Sequence, residues 1–171
     1  MGDARKDEIN FVFLDDEGRF REHLKLDNLS DGKNRDDFLD FVKRRKPDVT
    51  FVAGFSIRTA SLSARLKEVY GAISENSESL WTEEPQNEQA LNIPVYYIQD
   101  DVARVYQHSD RARREFPQLS PMARYCIGLA RYAQSPLTEF AGLGPDLVAI
   151  TFDDVAQPLV SSIVTLLPQA L

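Results

Sequence analysis

The stretch "VYYIQDDVARVYQHSDRARREFPQLSPMARYCIGLARYAQSPLTEFAG" runs from Val95 to Gly142. It opens inside "IPVYYI", Ile93 to Ile98, a short apolar, β-branched and aromatic run that reads as a strand. Asp100 or Asp101 then suits the N-cap of a helix with Val102, Val105, Tyr106 and Ala112 on its inner stripe. Pro117 and Pro121 break the chain. Met122, Tyr125, Cys126, Leu129 and Ala133 give a second helical stripe. Pro136 interrupts or restarts it, with Leu137 and Phe140 continuing inward. A strand followed by successive helices, repeated along a chain, marks a sheet covered by helices.

The same pattern extends outward. "INFVFL", Ile9 to Leu14, and "RFREHLKL", Arg19 to Leu26, flank "DDEG", a turn in which Gly18 takes positive φ; together they predict a β-hairpin. Asp31 to Arg45 carries Phe38, Phe41 and Val42 at helical spacing and stops before Pro47. "DVTFVAG", Asp48 to Gly54, reads as a buried strand of a parallel sheet. Ser56 suits the cap of the next helix, lined by Leu62, Leu66 and Val69. Ser74 to Gln89 is acidic and poor in apolar residues, a surface loop or frayed helix holding Trp81. "DLVAIT" from Asp146 predicts a last strand, and Leu159, Ile163 and Leu166 a last helix. The expected class is α/β: a mixed sheet with flanking helices over residues 9–171, behind a polar tail at 1–8.

The chain has 171 residues, 43% hydrophobic and 27% charged, with a formal net charge of −7. That is enough for a core of about one domain's size, and too acidic for whole-surface binding of nucleic acid. Cys126 is alone, which excludes an intrachain disulfide and a cysteine-rich zinc site. No run reaches membrane-spanning length, so no membrane partner is expected. Lys6 stands where a myristoylation signal wants Ser or Thr.

Chemistry is sparse. Neither G-x-G-x-x-G nor G-x-x-x-x-G-K-[ST] occurs. His23 belongs to the hairpin and His108 to a helix, with no paired-histidine zinc motif. Magnesium-dependent phosphodiester cleavage needs converging carboxylates. The pairs Asp15 and Asp16, Asp100 and Asp101, and Asp153 and Asp154 lie near strand ends, yet each has a plain use in a turn or helix cap. Cys126 reads as core packing. From Asp101 to Arg131 six arginines face Asp101, Asp110 and Glu115. Arg111, Arg113 and Arg114 cluster at a helix end, where they either cap and form solvated ion pairs or contact a phosphate or acidic partner.

The pieces "DDVARVYQHS", "REFP", "RYCIGLARYAQSPLTEFAGL" and "FDDVAQP" resemble the YqgF-like, RNase H-like domain of the eukaryotic elongation factor Spt6. "FVFLDDEGRFREHLKLDNLSD" and "FLDFVKRRKPDVTFVAGFS" extend the likeness upstream. Bacterial Tex proteins share a looser pattern, which falls on Tyr106, Ser109, Glu115 to Pro117, Arg124, Ala130, Arg131 and Gln134 to Leu137, with Ser135 where Tex has Asp. The resemblance implies an RNase H-like fold and a non-enzymatic domain with no catalytic, cofactor-binding or metal-binding residues. It implies a nuclear chaperone of histones H3 and H4 that acts in elongation with RNA polymerase II. A nucleic-acid contact near Arg111, Arg113 and Arg114, or a metal-dependent, structure-selective nuclease, is the alternative. In the family fold a central strand precedes the hairpin. "MGDARKDE" is too polar to supply it, so the domain is expected to lack that strand and to be part of a larger multidomain protein. "FVFL" and "DVTFVAG" would then pair directly or leave a groove.

Overall fold

The computed structural model describes residues 8–54, 57–78 and 93–150, with residues 72–78 described by their backbone. The elements are β1 (Ile9–Leu14), β2 (Phe20–Leu26), α1 (Gly32–Arg45), β3 (Thr50–Ala53), α2 (Ile57–Glu78), β4 (Val95–Ile98), α3 (Asp101–Tyr106), α4 (Asp110–Glu115), α5 (Pro121–Gln134) and α6 (Pro136–Leu143), then a 3₁₀ turn at Gly144–Ala149. The fold is α/β with helices flanking both antiparallel and parallel strand pairs. β1 pairs with β2 antiparallel and β3 with β4 parallel. Each pair forms its own two-stranded sheet. The chain divides into two compact units, one of residues 29–99 and the other of the segments before and after it.

In the unit formed by the two outer segments, the hairpin turns as its sequence dictates. Gly18 has φ 74°, and the Asp15 carboxylate accepts from the backbone N–H groups of Glu17 and Arg19. Phe13 faces Glu22 and Leu14 faces Phe20, so Arg21 is the extra residue of a bulge in β2 beside the turn. Leu14, Val102, Tyr106, Ala112, Ile127, Leu143, Leu147 and Ile150 make the core. Burying a side chain such as Ile127 contributes about 1.5–3 kcal/mol relative to leaving it in water. Edge-to-face ring pairs, Phe20 with Phe116 and Tyr132 with Phe140, border this core. Gly128 on α5 is required by packing: a Cβ there would sit 2.6 Å from the Tyr106 ring.

In the other unit α1 buries Phe38, Phe41 and Val42, as its spacing predicts. It ends on Lys46, whose left-handed backbone (φ 47°) lets its N–H donate to the Val42 carbonyl just before Pro47. α2 buries Leu66, Val69 and Tyr70, with Leu62 half-buried. The Tyr70 hydroxyl shares a 2.9 Å hydrogen bond with Thr50 at the start of β3. β3 buries only Val52 fully, and Tyr96 and Tyr97 on β4 are exposed, so the fully buried parallel strand expected from "DVTFVAG" is half-buried among the described residues.

Several expectations are corrected. The helix predicted to run through Ala112 breaks at 107–109, which puts His108 in an exposed turn. There Ser109 Oγ donates to the Tyr106 carbonyl at 2.7 Å and accepts from Ala112 N–H at 3.1 Å, closing one helix and opening the next. "DLVAI" is 3₁₀ turn and exit, not strand; Leu147 and Ile150, three apart, are buried while Val148 is exposed. Leu137, at the first turn of α6, is 85% exposed, and Met122 is 50% exposed. Asp100 precedes α3 without a side-chain cap bond. Ser74 to Glu78 continue α2. Ser56, Trp81 and the last helix fall outside the described residues.

Candidate functional site

The main concentration of charge and burial in the unit formed by the outer segments lies between α3, α4, α5 and α6. Ser109 starts α4, and the next residues project Arg111 back across Tyr106. Arg111 Nε donates to Glu115 Oε1 at 3.0 Å, one turn on. Its two terminal nitrogens grip Glu139 on α6, at 3.1 Å to Oε2 and 3.2 Å to Oε1. That bidentate fork suits a planar guanidinium. The Glu139 side chain is only 5% exposed, and Arg111 lies over the Tyr106 ring, 5.5 Å from its centroid. Gly142 leaves room for this arginine, since a Cβ there would collide with its Nη1.

Arg131 on α5 closes the network from the other side. Its Nη1 donates to Glu115 Oε2 at 2.6 Å and to the Tyr106 hydroxyl at 3.3 Å, while its Nε donates to the Gly18 carbonyl at 3.2 Å. The guanidinium also covers the Phe116 ring at 5.4 Å. Burial alone would raise the Glu115 pKa, but the hydrogen bonds and charges of Arg131 and Arg111 hold it below the ordinary carboxylate range. Burial would likewise lower the Arg111 pKa, and its glutamate partners raise it instead. Burial, with the nearby Glu115 charge, pushes the Tyr106 hydroxyl up and keeps it neutral. Two guanidinium groups and two carboxylates cancel. The cluster therefore offers no uncompensated charge, and it ties α3, α4, α5, α6 and the hairpin turn together.

The arginine cluster read from sequence is thus divided. Arg111 is committed to Glu115 and Glu139. Arg113 is exposed and pairs with Asp110 at 3.0 Å, and Arg114 is exposed with its Nε on the Asp110 carbonyl at 3.3 Å. These three arginines make ion pairs and one backbone contact.

The candidate carboxylates are engaged by local partners. Asp15 holds the hairpin turn and Arg21, and its pKa is lowered chiefly by the Arg19 backbone N–H. Asp100 accepts from the Tyr125 hydroxyl at 2.8 Å, and both Asp100 and Asp101 pair with Arg104. Asp153 and Asp154 lie outside the described residues. Among the described residues, no three His, Cys, Asp or Glu side chains are placed to hold a metal ion. His23 Nε2 meets Asn10 Oδ1 across the hairpin at 2.9 Å, and burial followed by the Lys25 charge lowers its pKa. Cys126 is half-buried, donates to the Asn10 carbonyl at 3.7 Å, and has its thiol pushed up to about 12 by burial.

Sequence reading had not singled out Glu139, which faces Arg111 from 28 residues away. Glu139 itself lies outside the short pattern that resembles Tex. Of those positions, Tyr106, Ser109, Glu115, Phe116 and Arg131 meet in the network, and Gln134 donates to the Asp15 carbonyl at 2.8 Å. The shared pattern marks a structural joint.

A family model described as YqgF, Holliday-junction resolvase-like of SPT6, matches residues 1–144. The chain is 42% identical to a transcription elongation factor SPT6 of Mycosarcoma maydis, over 89% of the chain and 10% of that protein. It is 38% identical to transcription elongation factor spt6 of Schizosaccharomyces pombe, over 86% and 10% respectively. For transcription elongation factor SPT6 of Saccharomyces cerevisiae the identity is 33%, over 91% and 10%. The chain spans about a tenth of the length of these relatives. With the family match across most of its length, the chain belongs to the Holliday-junction resolvase-like YqgF family of SPT6.

Proposed function

We propose that the chain is a non-catalytic scaffold domain of a nuclear transcription elongation factor, one that chaperones histones H3 and H4 and works with RNA polymerase II. The observation that carries this is the closed ion-pair network of Arg111, Glu115, Arg131 and Glu139. It spends Glu115 and Arg131, two charged residues of the resemblance, on holding helices together. The relatives named as transcription elongation factors support the setting. Residues 9–171 act as one interaction domain within a larger factor, and residues 1–8 contribute a polar lead.

The test is co-purification of the tagged chain from nuclear extract, with and without nuclease treatment, alongside a full-length relative. Retention of RNA polymerase II or of histones H3 and H4 after digestion supports the scaffold. Partners that vanish on digestion, and on replacement of Arg113 and Arg114 by Gln, indicate nucleic-acid contact instead. Purified chain is also incubated with branched, duplex and single-stranded substrates in magnesium or manganese, and no cleavage is expected. Cleavage lost on Asp101→Ala would overturn the non-catalytic reading.

A further inference from the structure

Two helices open alike: Ser120-Pro121 begins α5 and Ser135-Pro136 begins α6, each with serine just before the helix and proline in its first turn. Both serines are exposed. One turn further in, the two sites differ. Four residues after Ser120 stands Arg124, whose Nε is shut off from solvent and, among the described residues, has no hydrogen-bond partner. Four residues after Ser135 stands Glu139, buried and already gripped by Arg111. Ser120 has extended backbone (φ −62°, ψ 157°), and its hydroxyl accepts from Ala123 N–H at 3.2 Å. Ser135 instead shares a 2.8 Å hydrogen bond with the Thr138 hydroxyl.

An N–H hidden from water without an acceptor is costly, and natural proteins rarely leave one. Residues four apart are neighbours on a helix surface. Ser120 and Arg124 therefore stand one turn apart at the start of a 14-residue helix, where free N–H groups and the helix dipole favour an anion. An exposed serine in extended backbone, followed by proline, is the unit that proline-directed protein kinases read.

We infer that Ser120 is a phosphorylation site for a proline-directed protein kinase, and that Arg124 receives the phosphate. In the transfer, Ser120 Oγ forms the new bond to the γ-phosphorus of ATP. The bond from that phosphorus to the bridging oxygen breaks, ADP leaves with magnesium, and the hydroxyl proton passes to the kinase's base. The product carries about −1.5 to −2 charges and three acceptor oxygens. One oxygen replaces the hydroxyl as acceptor for Ala123 N–H, and another is available to the Arg124 guanidinium. A phosphate on Ser135 would instead stand one turn from the Glu139 carboxylate and compete for Arg111. The two Ser-Pro sites thus have opposite consequences within one molecule.

The test uses the full chain. Incubation with a purified cyclin-dependent kinase and Mg-ATP, followed by peptide mass spectrometry, is expected to place phosphate on Ser120, with loss of that signal in Ser120→Ala. Phosphoserine installed genetically at position 120 should raise the melting temperature by roughly 2–4 °C. The rise should vanish in Arg124→Gln, and phosphoserine at position 135 should lower the melting temperature. In the unsubstituted chain, phosphorylation should shift the Arg124 Nε–H resonance and slow its exchange, a reading independent of whether Arg124→Gln folds. Modification of Ser135 with Ser120 untouched, an unchanged or lowered melting temperature with phosphoserine at 120, or an Arg124 resonance that does not move would each overturn the assignment.

Discussion

Replacing Gly128 by alanine separates packing from helix propensity, because the two predict opposite signs. In an exposed helix interior, Gly→Ala stabilises by roughly 1 kcal/mol. At position 128 the new Cβ would lie 2.6 Å from Tyr106 Cδ1, 3.1 Å from Cγ and 3.2 Å from its Cβ. Comfortable carbon–carbon separation is about 3.5–4.0 Å, so ring or helix must retreat by close to 1 Å. Tyr106 has nowhere to go. It is fully buried, its hydroxyl meets Glu115 at 3.2 Å and Arg131 at 3.3 Å, and Arg111 covers its face. Overpacking costs about 1–3 kcal/mol, and a displaced ring also strains hydrogen bonds contributing about 1 kcal/mol each. After subtracting the propensity gain, a net loss of about 2 kcal/mol is expected, or roughly 4–8 °C in melting temperature for a domain of this size. Urea and thermal unfolding followed by circular dichroism measure it. In a double-mutant cycle with Tyr106→Leu the two losses should be strongly non-additive, since removing the ring removes the clash. A Gly128→Ala protein as stable as wild type, or more so, would refute this account of the α3–α5 contact.

Glu139→Gln should lower stability by about 2–3 kcal/mol, because the Arg111 fork loses its charged partner in a largely buried site; urea unfolding reads this directly. Glu115 binds a proton less readily folded than unfolded, so between its folded and unfolded pKa values the unfolded chain holds more protons and stability rises with pH. Its contribution is complete above the unfolded value, near 4.3, and fades as pH falls through the lower folded value; the urea midpoint should drop less between pH 6 and pH 3 in Glu115→Gln than in wild type. Cys126→Ala should cost about 1 kcal/mol and Cys126→Asp far more, through an unpaired carboxylate among apolar neighbours. With its thiol pushed up to about 12, native Cys126 should resist a bulky thiol reagent at pH 8, and rapid labelling would count against its packing role.

Local chemistry was readable where it alone decides the outcome. "INFVFL", the "DDEG" turn and the Phe38, Phe41, Val42 spacing gave β1, β2 and α1 nearly to the residue, because alternation, a positive-φ glycine and helical periodicity are short-range facts. The break at 107–109 was less visible, since Val102, Val105, Tyr106 and Ala112 fit one uninterrupted stripe. Only the Ser109 hydroxyl, bonding backbone on both sides, shows why the helix stops. Leu137 looked inward by its chemistry, yet Pro136 resets the helix phase and turns it outward while burying Glu139. The Arg111–Glu139 pairing could not be read at all from residue order, because each charge taken singly resembles a solvated surface residue.

The hairpin is bolted to α5 through main-chain oxygens: Cys126 reaches the Asn10 carbonyl, Gln134 that of Asp15, and Arg131 that of Gly18. Asp15 and Gln134 are 119 residues apart in the chain. At about 5–20 residues per second of synthesis, the hairpin leaves the ribosome roughly 6–24 s before its clamp exists. Isolated two-stranded ribbons are marginal in water, so through that interval β1 is an unsecured apolar strand. Newly made protein should therefore pass through a stage of high chaperone demand that ends when α5 emerges, and a translational pause placed before residue 121 should lengthen that exposure.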